Sequence, residues 1–290
     1  MNNGDWNRLV KQLGRGDCTP LLGAGACFGR LPNARQLSRH FADLYDYPFA
    51  DRDNLARVTQ YAASVGEQDP VDLKHEICTY LKQYVAKPGT APDPHEILAE
   101  FPISTFLTTN YDNFMLQALN RAQDGQKSPR ASTSTWWDGN ADEPRILDPT
   151  PDEPLVYHLH GSWEDPPSLV LTEDDYLNYL VNMVDWQASQ SRRPLPTCVL
   201  GAMTASPLLF VGYSLQDWNF RVLFHGLIRA IPPNMKRRHV SVQLMPDLDG
   251  TVPDAQAKAQ HYMERYLDGW NISIFIGTTE DFFRELLDRM

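Results

Sequence analysis

The segment Thr19-Pro20-Leu21-Leu22-Gly23-Ala24-Gly25 gives the first indication of the fold class of this chain. The residues before the glycines form a short, largely apolar run that is typical of a buried β-strand. After the glycines, Leu37, Phe41 and Leu44 recur at the spacing of an amphipathic helix. The glycines are therefore predicted to lie on a loop between a strand and a helix, where α/β proteins commonly bind phosphate groups.

The alternation of strand and helix continues along the chain. Further strands are predicted at Ile103 to Thr108, Leu155 to His160, Pro207 to Val211, His239 to Leu244 and Asn271 to Ile276. Helices are predicted at Phe114 to Leu119, Tyr176 to Val184, Trp218 to Ile231, Ala255 to Leu267 and Glu280 to Leu287. This order predicts an α/β fold with a Rossmann-like, mostly parallel sheet and helices on both faces. Ligand-binding residues are then expected directly after the strands.

The chain has 290 residues and is predicted to form one domain over 1–290, with two interruptions of the alternation. Residues from about 46 to 100 show only helical periodicity, which predicts a small helical insertion. Residues from about 121 to 154 are polar, with repeated Pro, Asp and Ser, and are predicted to form a long loop or lid rather than a regular element.

Composition and charge exclude several classes of protein. Lys+Arg minus Asp+Glu is 26 − 37 = −11, so no protein-wide field attracts nucleic acid or an anionic membrane. No stretch approaches the roughly 20 apolar residues that span a bilayer, and the first residues lack a signal-peptide pattern, so a soluble, cytoplasmic protein is expected. The four cysteines lie far apart: Cys18, Cys27, Cys78 and Cys198. Without paired cysteine spacings we expect no disulfide framework, no zinc module and no bound metal.

Four polar or glycine-rich segments follow predicted strands: Gly23-Ala24-Gly25, Asn110-Tyr111-Asp112, His160-Gly161 and Gly212-Tyr213-Ser214. Converging at one sheet edge, they predict a nucleotide-sized site. The glycines allow close approach to a pyrophosphate. However, Phe28 replaces the third glycine of the dinucleotide fingerprint and the P-loop lysine is missing, which disfavours ATP hydrolysis of the Walker type.

Each segment also has a structural interpretation. Asn110 and Asp112 would serve equally well as helix caps, and Gly212-Tyr213-Ser214 as a simple turn. His158 has the same strand phase as His160, so alternation alone does not choose between them. Gly161 favours His160 for the site, whereas a buried, hydrogen-bonded imidazole is the preferred interpretation of His158. The carboxylates within Thr172 to Tyr176 are interpreted as charge at a helix N-terminus.

Taken in order, these segments resemble the sirtuin domain. More narrowly, Phe106 to Asp112, Leu171 to Tyr176 and Gly212 to Asp217 resemble the bacterial sirtuin-like branch of antiphage defence systems. The resemblance implies that the NAD pyrophosphate lies on Gly23, Ala24 and Gly25, that Asn110 and His160 are catalytic, that Asp112 lies near the nicotinamide carboxamide, and that Gly212 and Ser214 contact the adenosine side.

The same resemblance implies an NAD glycohydrolase that converts NAD and water to ADP-ribose and nicotinamide, with NAD as substrate and NAD depletion as the antiviral effect. No metal is expected, because the paired cysteines of the sirtuin zinc module are missing. The missing cysteine pairs and the departures at Thr109 and Tyr111 disfavour protein deacylation. Two alternatives stay open, an NAD-dependent deacylase and a non-catalytic module that binds NAD or ADP-ribose. Because draining NAD is toxic, we expect gating through a homo-oligomer or through a partner such as a HerA-type ATPase.

Overall fold

The computed structural model describes residues 1–66, 69–84, 92–136, 146–189, 195–213, 237–246 and 248–290. Its strands, β1 to β7 in chain order, are Thr19–Leu22, Thr105–Thr108, Arg130–Thr133, Leu155–His158, Leu208–Val211, His239–Gln243 and Ile272–Ile276. Its α-helices, α1 to α10, are Asn3–Gly14, Ala34–Leu44, Leu55–Val65, Pro70–Lys82, Pro94–Ala99, Phe114–Arg121, Glu173–Ser189, Thr197–Ala205, Ala255–Asp268 and Thr279–Asp288. Among the described residues, no helix is both long and apolar enough to cross a membrane.

The strands form one sheet in the order β3-β4-β2-β1-β5-β6-β7, and all the paired strands are parallel. One face packs against α1, α5, α6 and α10, and the other against α7, α8 and α9. Every residue of β1, β2, β4 and β5 is buried, because helices cover both faces of these strands. The predicted Rossmann-like α/β fold is thereby confirmed.

Helices α2, α3 and α4 form a separate helical unit with its own apolar core, which includes Phe41, Val58 and Ile77. Leu169, from the segment after β4, packs into the same core. Helix α5 belongs instead to the core beneath the sheet, where Leu98 is fully buried. The helical part of the chain between residues 46 and 100 thus divides between a unit beside the sheet and a helix against its face.

The strand register brings four chain segments to one edge of the sheet. Val211, Leu22, Thr108 and His158 pair in one row across β5, β1, β2 and β4. The chain passes from central β1 to β2 on one side, while β5 lies on the other side. This is the topological switch point at which open α/β sheets form their ligand crevice.

Two sequence predictions about the strands are wrong. Strand β4 ends at His158 rather than His160, because the chain turns at Gly161, whose φ is +87°. The segment 121–154 contains β3, which pairs in parallel with β4 and makes the edge of the sheet. An edge strand needs only backbone hydrogen bonds to one neighbour, so it forms here without an apolar sequence. The predicted helix Trp218 to Ile231 lies outside the described residues.

Gly212 is required for the contact between the loops after β1 and β5. Its φ is +79°, and an added Cβ would lie 2.3 Å from the Ala26 backbone nitrogen. Gly212→Ala is therefore expected to lower the free energy of unfolding by about 3 kcal/mol, measured by urea denaturation. Gly201→Ala is the matched control, since its Cβ would meet nothing within 4 Å inside α8. Equal losses in the two variants would contradict this account.

Candidate active site

A cavity of about 400 Å³ opens at the carboxyl ends of β1, β2 and β5, within the size range of small-molecule sites. Its walls come from the four predicted segments and from the helical unit. The lining residues are Gly23, Ala24, Cys27, Leu31, Pro32, Ala34, Leu37, Leu55, Leu81, Thr109, Asn110, Tyr111, Asp112, His160, Tyr176, Gly212 and Tyr213. Gly25 is not among the lining residues, and Ser214 falls outside the described residues.

The glycine loop joins β1 to the helical unit and packs on the loop after β5. The Gly23 amide donates to the Val211 carbonyl at 2.8 Å, and the Gly25 amide donates to the Gly212 carbonyl at 3.0 Å. A Cβ on Gly25 would lie 2.7 Å from the Gly212 Cα atom. The glycines therefore have a clear packing role between the two loops, and their contact with a pyrophosphate stays a prediction.

Asn110 is held by hydrogen bonds from both its backbone and its side chain. Its Nδ2 atom donates to the Gly23 carbonyl at 3.0 Å and to the Cys27 sulfur at 3.3 Å. Its backbone amide donates to Thr108 Oγ1, and its carbonyl accepts from His158 Nδ1 at 3.1 Å. These contacts leave the side-chain Oδ1 atom as the acceptor for a substrate hydroxyl or a water. Asn113, not Asn110, occupies the N-cap position of α6.

Asp112 is buried at the inner end of the cavity, where its two oxygens have different partners. Oδ1 accepts from the Phe114 amide at 2.9 Å, so the carboxylate does help to begin α6. Oδ2 accepts from the Cys27 thiol at 3.1 Å. Burial, and then the neighbouring Asp112, raises the pKa of Cys27 well above its usual value, so the thiol keeps its proton. The structural and the ligand-binding interpretations of Asp112 are therefore compatible.

The two histidines after Tyr157 have different environments. His158 ends β4, and its ring donates from Nδ1 to the Asn110 carbonyl. His160 lines the cavity, and its ring lies edge-on to Tyr176 and Tyr179, with centroids 5.6 and 5.0 Å away. Burial alone lowers the pKa of His160 to about 4. His160 is therefore a neutral imidazole at physiological pH, in the form that accepts a proton.

The buried histidines predict a loss of stability in mild acid. Burial lowers the pKa of both His160 and His239 to about 4, against about 6.5 in an unfolded chain. Between these values the unfolded chain binds more protons, so the free energy of unfolding falls as the pH drops from 6.5 toward 4. We expect about 2 kcal/mol per histidine at pH 5. Urea denaturation at pH 7 and pH 5 measures the difference in the free energy of unfolding. His239→Gln should remove the part of this difference that His239 contributes.

Several lining residues were not singled out from the sequence. Cys27 lies two residues after Gly25 on the same loop, and this proximity was the sequence feature that could have indicated its place at the site. Tyr176 follows three carboxylates in the first turn of α7, as predicted for helix N-terminal charge, and its ring contacts His160. Leu55 and Leu81 come from the helical unit, and no local pattern shows that this unit covers the site.

A family model described as SIR2-like domain matches residues 104–275. The chain is also similar to curated proteins named NAD(+) hydrolase ThsA. The Bacillus cereus (strain MSX-D12) protein is 25% identical over 202 residues, which cover 68% of this chain and 38% of that protein. The Acinetobacter baumannii (strain 532279) protein is 25% identical over 237 residues, which cover 80% of this chain and 44% of that protein. The Enterococcus faecium protein is 30% identical over 142 residues, which cover 49% of this chain and 26% of that protein.

These matches span less than half the length of the curated relatives. The family match covers the strands and loops from β2 onward, since it starts just before Thr105 and ends within β7.

Proposed function

Because the chain belongs to the family of SIR2-like domains, we propose that it is an NAD glycohydrolase, which cleaves NAD with water to ADP-ribose and nicotinamide. One observation carries the proposal: Asn110, Asp112 and His160 line a single cavity with Gly23 and Gly212. The name of the relatives, NAD(+) hydrolase, supports NAD as the substrate.

The chemistry suits the groups in the cavity. Nicotinamide is cationic in NAD and leaves as a neutral molecule, so its departure needs no general acid, in contrast to the leaving groups of ordinary glycosidases. The protein must hold the ribose, stabilise an oxocarbenium-like state and direct one water to the anomeric carbon. The proton of that water passes to a base or to solvent. None of these tasks requires a metal ion.

In this proposal each residue at the cavity has a separate role. Asn110 Oδ1 accepts from the attacking water or a ribose hydroxyl, since its Nδ2 hydrogens are engaged by Gly23 and Cys27. His160 accepts a proton at a ring nitrogen, because burial keeps its imidazole neutral. Asp112 lies at the inner end of the cavity, where it would receive the carboxamide. Gly23, Ala24, Gly25, Gly212 and Ser214 are proposed to hold the rest of NAD.

Incubation of the chain with NAD, with and without an acyl-lysine peptide, tests the proposal. Release of nicotinamide that does not depend on the peptide is the expected result. Release that requires the peptide would instead identify a deacylase. Binding of NAD without turnover would identify a regulatory module.

We also propose a setting for the activity, a cytoplasmic antiphage defence system in which NAD depletion stops infection. Gating by a homo-oligomer, or by a partner in trans such as a HerA-type ATPase, would protect the host. Light scattering combined with turnover measurements tests this. A monomer that hydrolyses NAD at an unrestrained rate, about 10 s⁻¹, would leave no role for assembly or a partner.

A further inference from the structure

A group of three buried side chains lies at the inner end of the cavity. Cys27, His95 and Asp112 each offer one ligand atom, and the three atoms lie within 4.8 Å of one another. Cys27 Sγ is 3.1 Å from Asp112 Oδ2 and 4.0 Å from His95 Nε2. All three residues are at most 5% exposed, so the group is shielded from bulk solvent. The arrangement concentrates a thiol, an imidazole and a carboxylate around one point.

A second layer of side chains fixes the imidazole in the orientation that a metal ion requires. His95 Nδ1 donates to Asp93 Oδ1 at 2.9 Å, which places the ring proton on Nδ1 and leaves the Nε2 lone pair toward Cys27. Asp93 also forms an ion pair with Arg30. Histidines that ligate metals commonly donate their other ring nitrogen to a carboxylate in this manner.

The donor set and its spacing select the class of ion. Thiolate, imidazole and carboxylate are the ligands of Zn²⁺, whereas Mg²⁺ and Ca²⁺ prefer oxygen alone. Ligands around tetrahedral zinc are roughly 3.5 Å apart, given bond lengths of about 2.0 to 2.3 Å. The two distances from Cys27 Sγ, 3.1 Å to Asp112 and 4.0 Å to His95, lie on either side of that value. Cys27 and Asp112 also line the cavity, which provides room for water as a fourth ligand.

We propose that Cys27, His95 and Asp112 form a binding site for Zn²⁺ at the inner end of the cavity. On binding, the Cys27 thiol loses its proton to solvent and a sulfur–metal bond replaces the hydrogen bond to Asp112. The absence of paired cysteines excludes a paired-cysteine zinc module, but it does not exclude this site, whose ligands come from three separate segments of the chain. The site requires only the described geometry and does not depend on the proposed NAD chemistry.

Cobalt substitution tests the site directly. The full chain is dialysed against a chelator and titrated with Co²⁺, which reports thiolate ligation by a sulfur-to-cobalt charge-transfer band in the near ultraviolet. One equivalent of Co²⁺ is expected to saturate this band, and one equivalent of Zn²⁺ is expected to abolish it. No charge-transfer band in the wild-type protein would overturn the proposal.

Matched variants distinguish this site from adventitious binding. Cys27→Ser should lose the band, whereas Cys18→Ser should keep it, because Cys18 is equally buried but lies before β1 rather than after it. Asp93→Asn leaves all three ligands in place and should weaken Zn²⁺ binding by about tenfold, as loss of a carboxylate behind a ligating histidine does. A band that persists in Cys27→Ser, or unchanged affinity in Asp93→Asn, would contradict the assignment.

One consequence rests on the proposed function. Bound Zn²⁺ would engage Asp112 and the Cys27 sulfur that Asn110 contacts, so it should inhibit NAD turnover in the wild-type protein. Cys27→Ser should be at least tenfold less sensitive to Zn²⁺, relative to its own turnover without the ion. Equal sensitivity would refute inhibition through this site. If no protein turns over NAD, the proposed function fails while the cobalt experiment still decides on the metal site.

Discussion

Asn110→Ala is expected to lower NAD turnover by about 100-fold or more, because in the proposed mechanism it removes the amide oxygen that accepts from the attacking water or a ribose hydroxyl. The side chain donates to the Gly23 carbonyl and to the Cys27 sulfur, so the orientation of the amide in the cavity wall is fixed. Turnover is measured as nicotinamide release at saturating NAD, and the melting temperature reports on folding. Because the two hydrogen bonds of this side chain are lost, the free energy of unfolding should fall by about 1 to 2 kcal/mol.

Asn113→Ala provides the matched control for Asn110. It changes the same residue type three positions later, at the N-cap of α6, where the side chain makes no cap hydrogen bond and does not line the cavity. Its turnover should stay within about twofold of the wild type. If Asn110→Ala kept full turnover while it remained folded, Asn110 would have no catalytic role and the proposed placement of the water would be wrong.

His160→Ala is expected to reduce turnover by a similar factor of about 100-fold or more, because the cavity would lose its neutral imidazole. Among the described residues, no protein group hydrogen-bonds to the ring nitrogens of His160, and burial is the cause of its lowered pKa. A ring nitrogen is therefore available to the substrate. Nicotinamide release and circular dichroism on the same preparation are the measurements.

His239→Gln is the control for the loss of a buried imidazole. Burial also lowers the pKa of His239 to about 4. However, His239 begins β6 and so lies at the amino ends of the strands, away from the cavity, where its Nδ1 accepts from the Leu208 amide. The variant should lose stability and keep turnover per folded molecule. Full turnover by folded His160→Ala protein would falsify the assignment of His160 as the proton acceptor.

His158 shows how the structure refines a prediction from the sequence. A buried, hydrogen-bonded imidazole was the preferred interpretation, and the ring is indeed buried and bonded to the Asn110 carbonyl. That partner lies at the candidate site, so the loss of His158 would also disturb the position of Asn110. Strand periodicity indicated burial, but it could not identify the partner, which comes from the neighbouring strand end.

Local patterns were sufficient for the elements that carry the site. Hydrophobic periodicity located β1, β2, β4 and β5, and parallel strands in an α/β fold place their carboxyl ends along one edge. The sequence therefore indicated that Gly23, Asn110, Asp112 and His160 would lie close together, and the structure places all four around one cavity. Strand β3 was missed because its exposed edge position leaves no apolar signal.

The fold class and the segments at the cavity could be predicted from the sequence alone, because both depend on short-range periodicity and on residues that directly follow strands. In contrast, the contact among Cys27, His95 and Asp112 could be seen only in the folded structure. Cys27 is 68 positions from His95 and 85 from Asp112, and no spacing rule connects residues so far apart. Their contact results from the packing of α5 and α6 against the loop after β1, a long-range arrangement that a local pattern of residues does not encode.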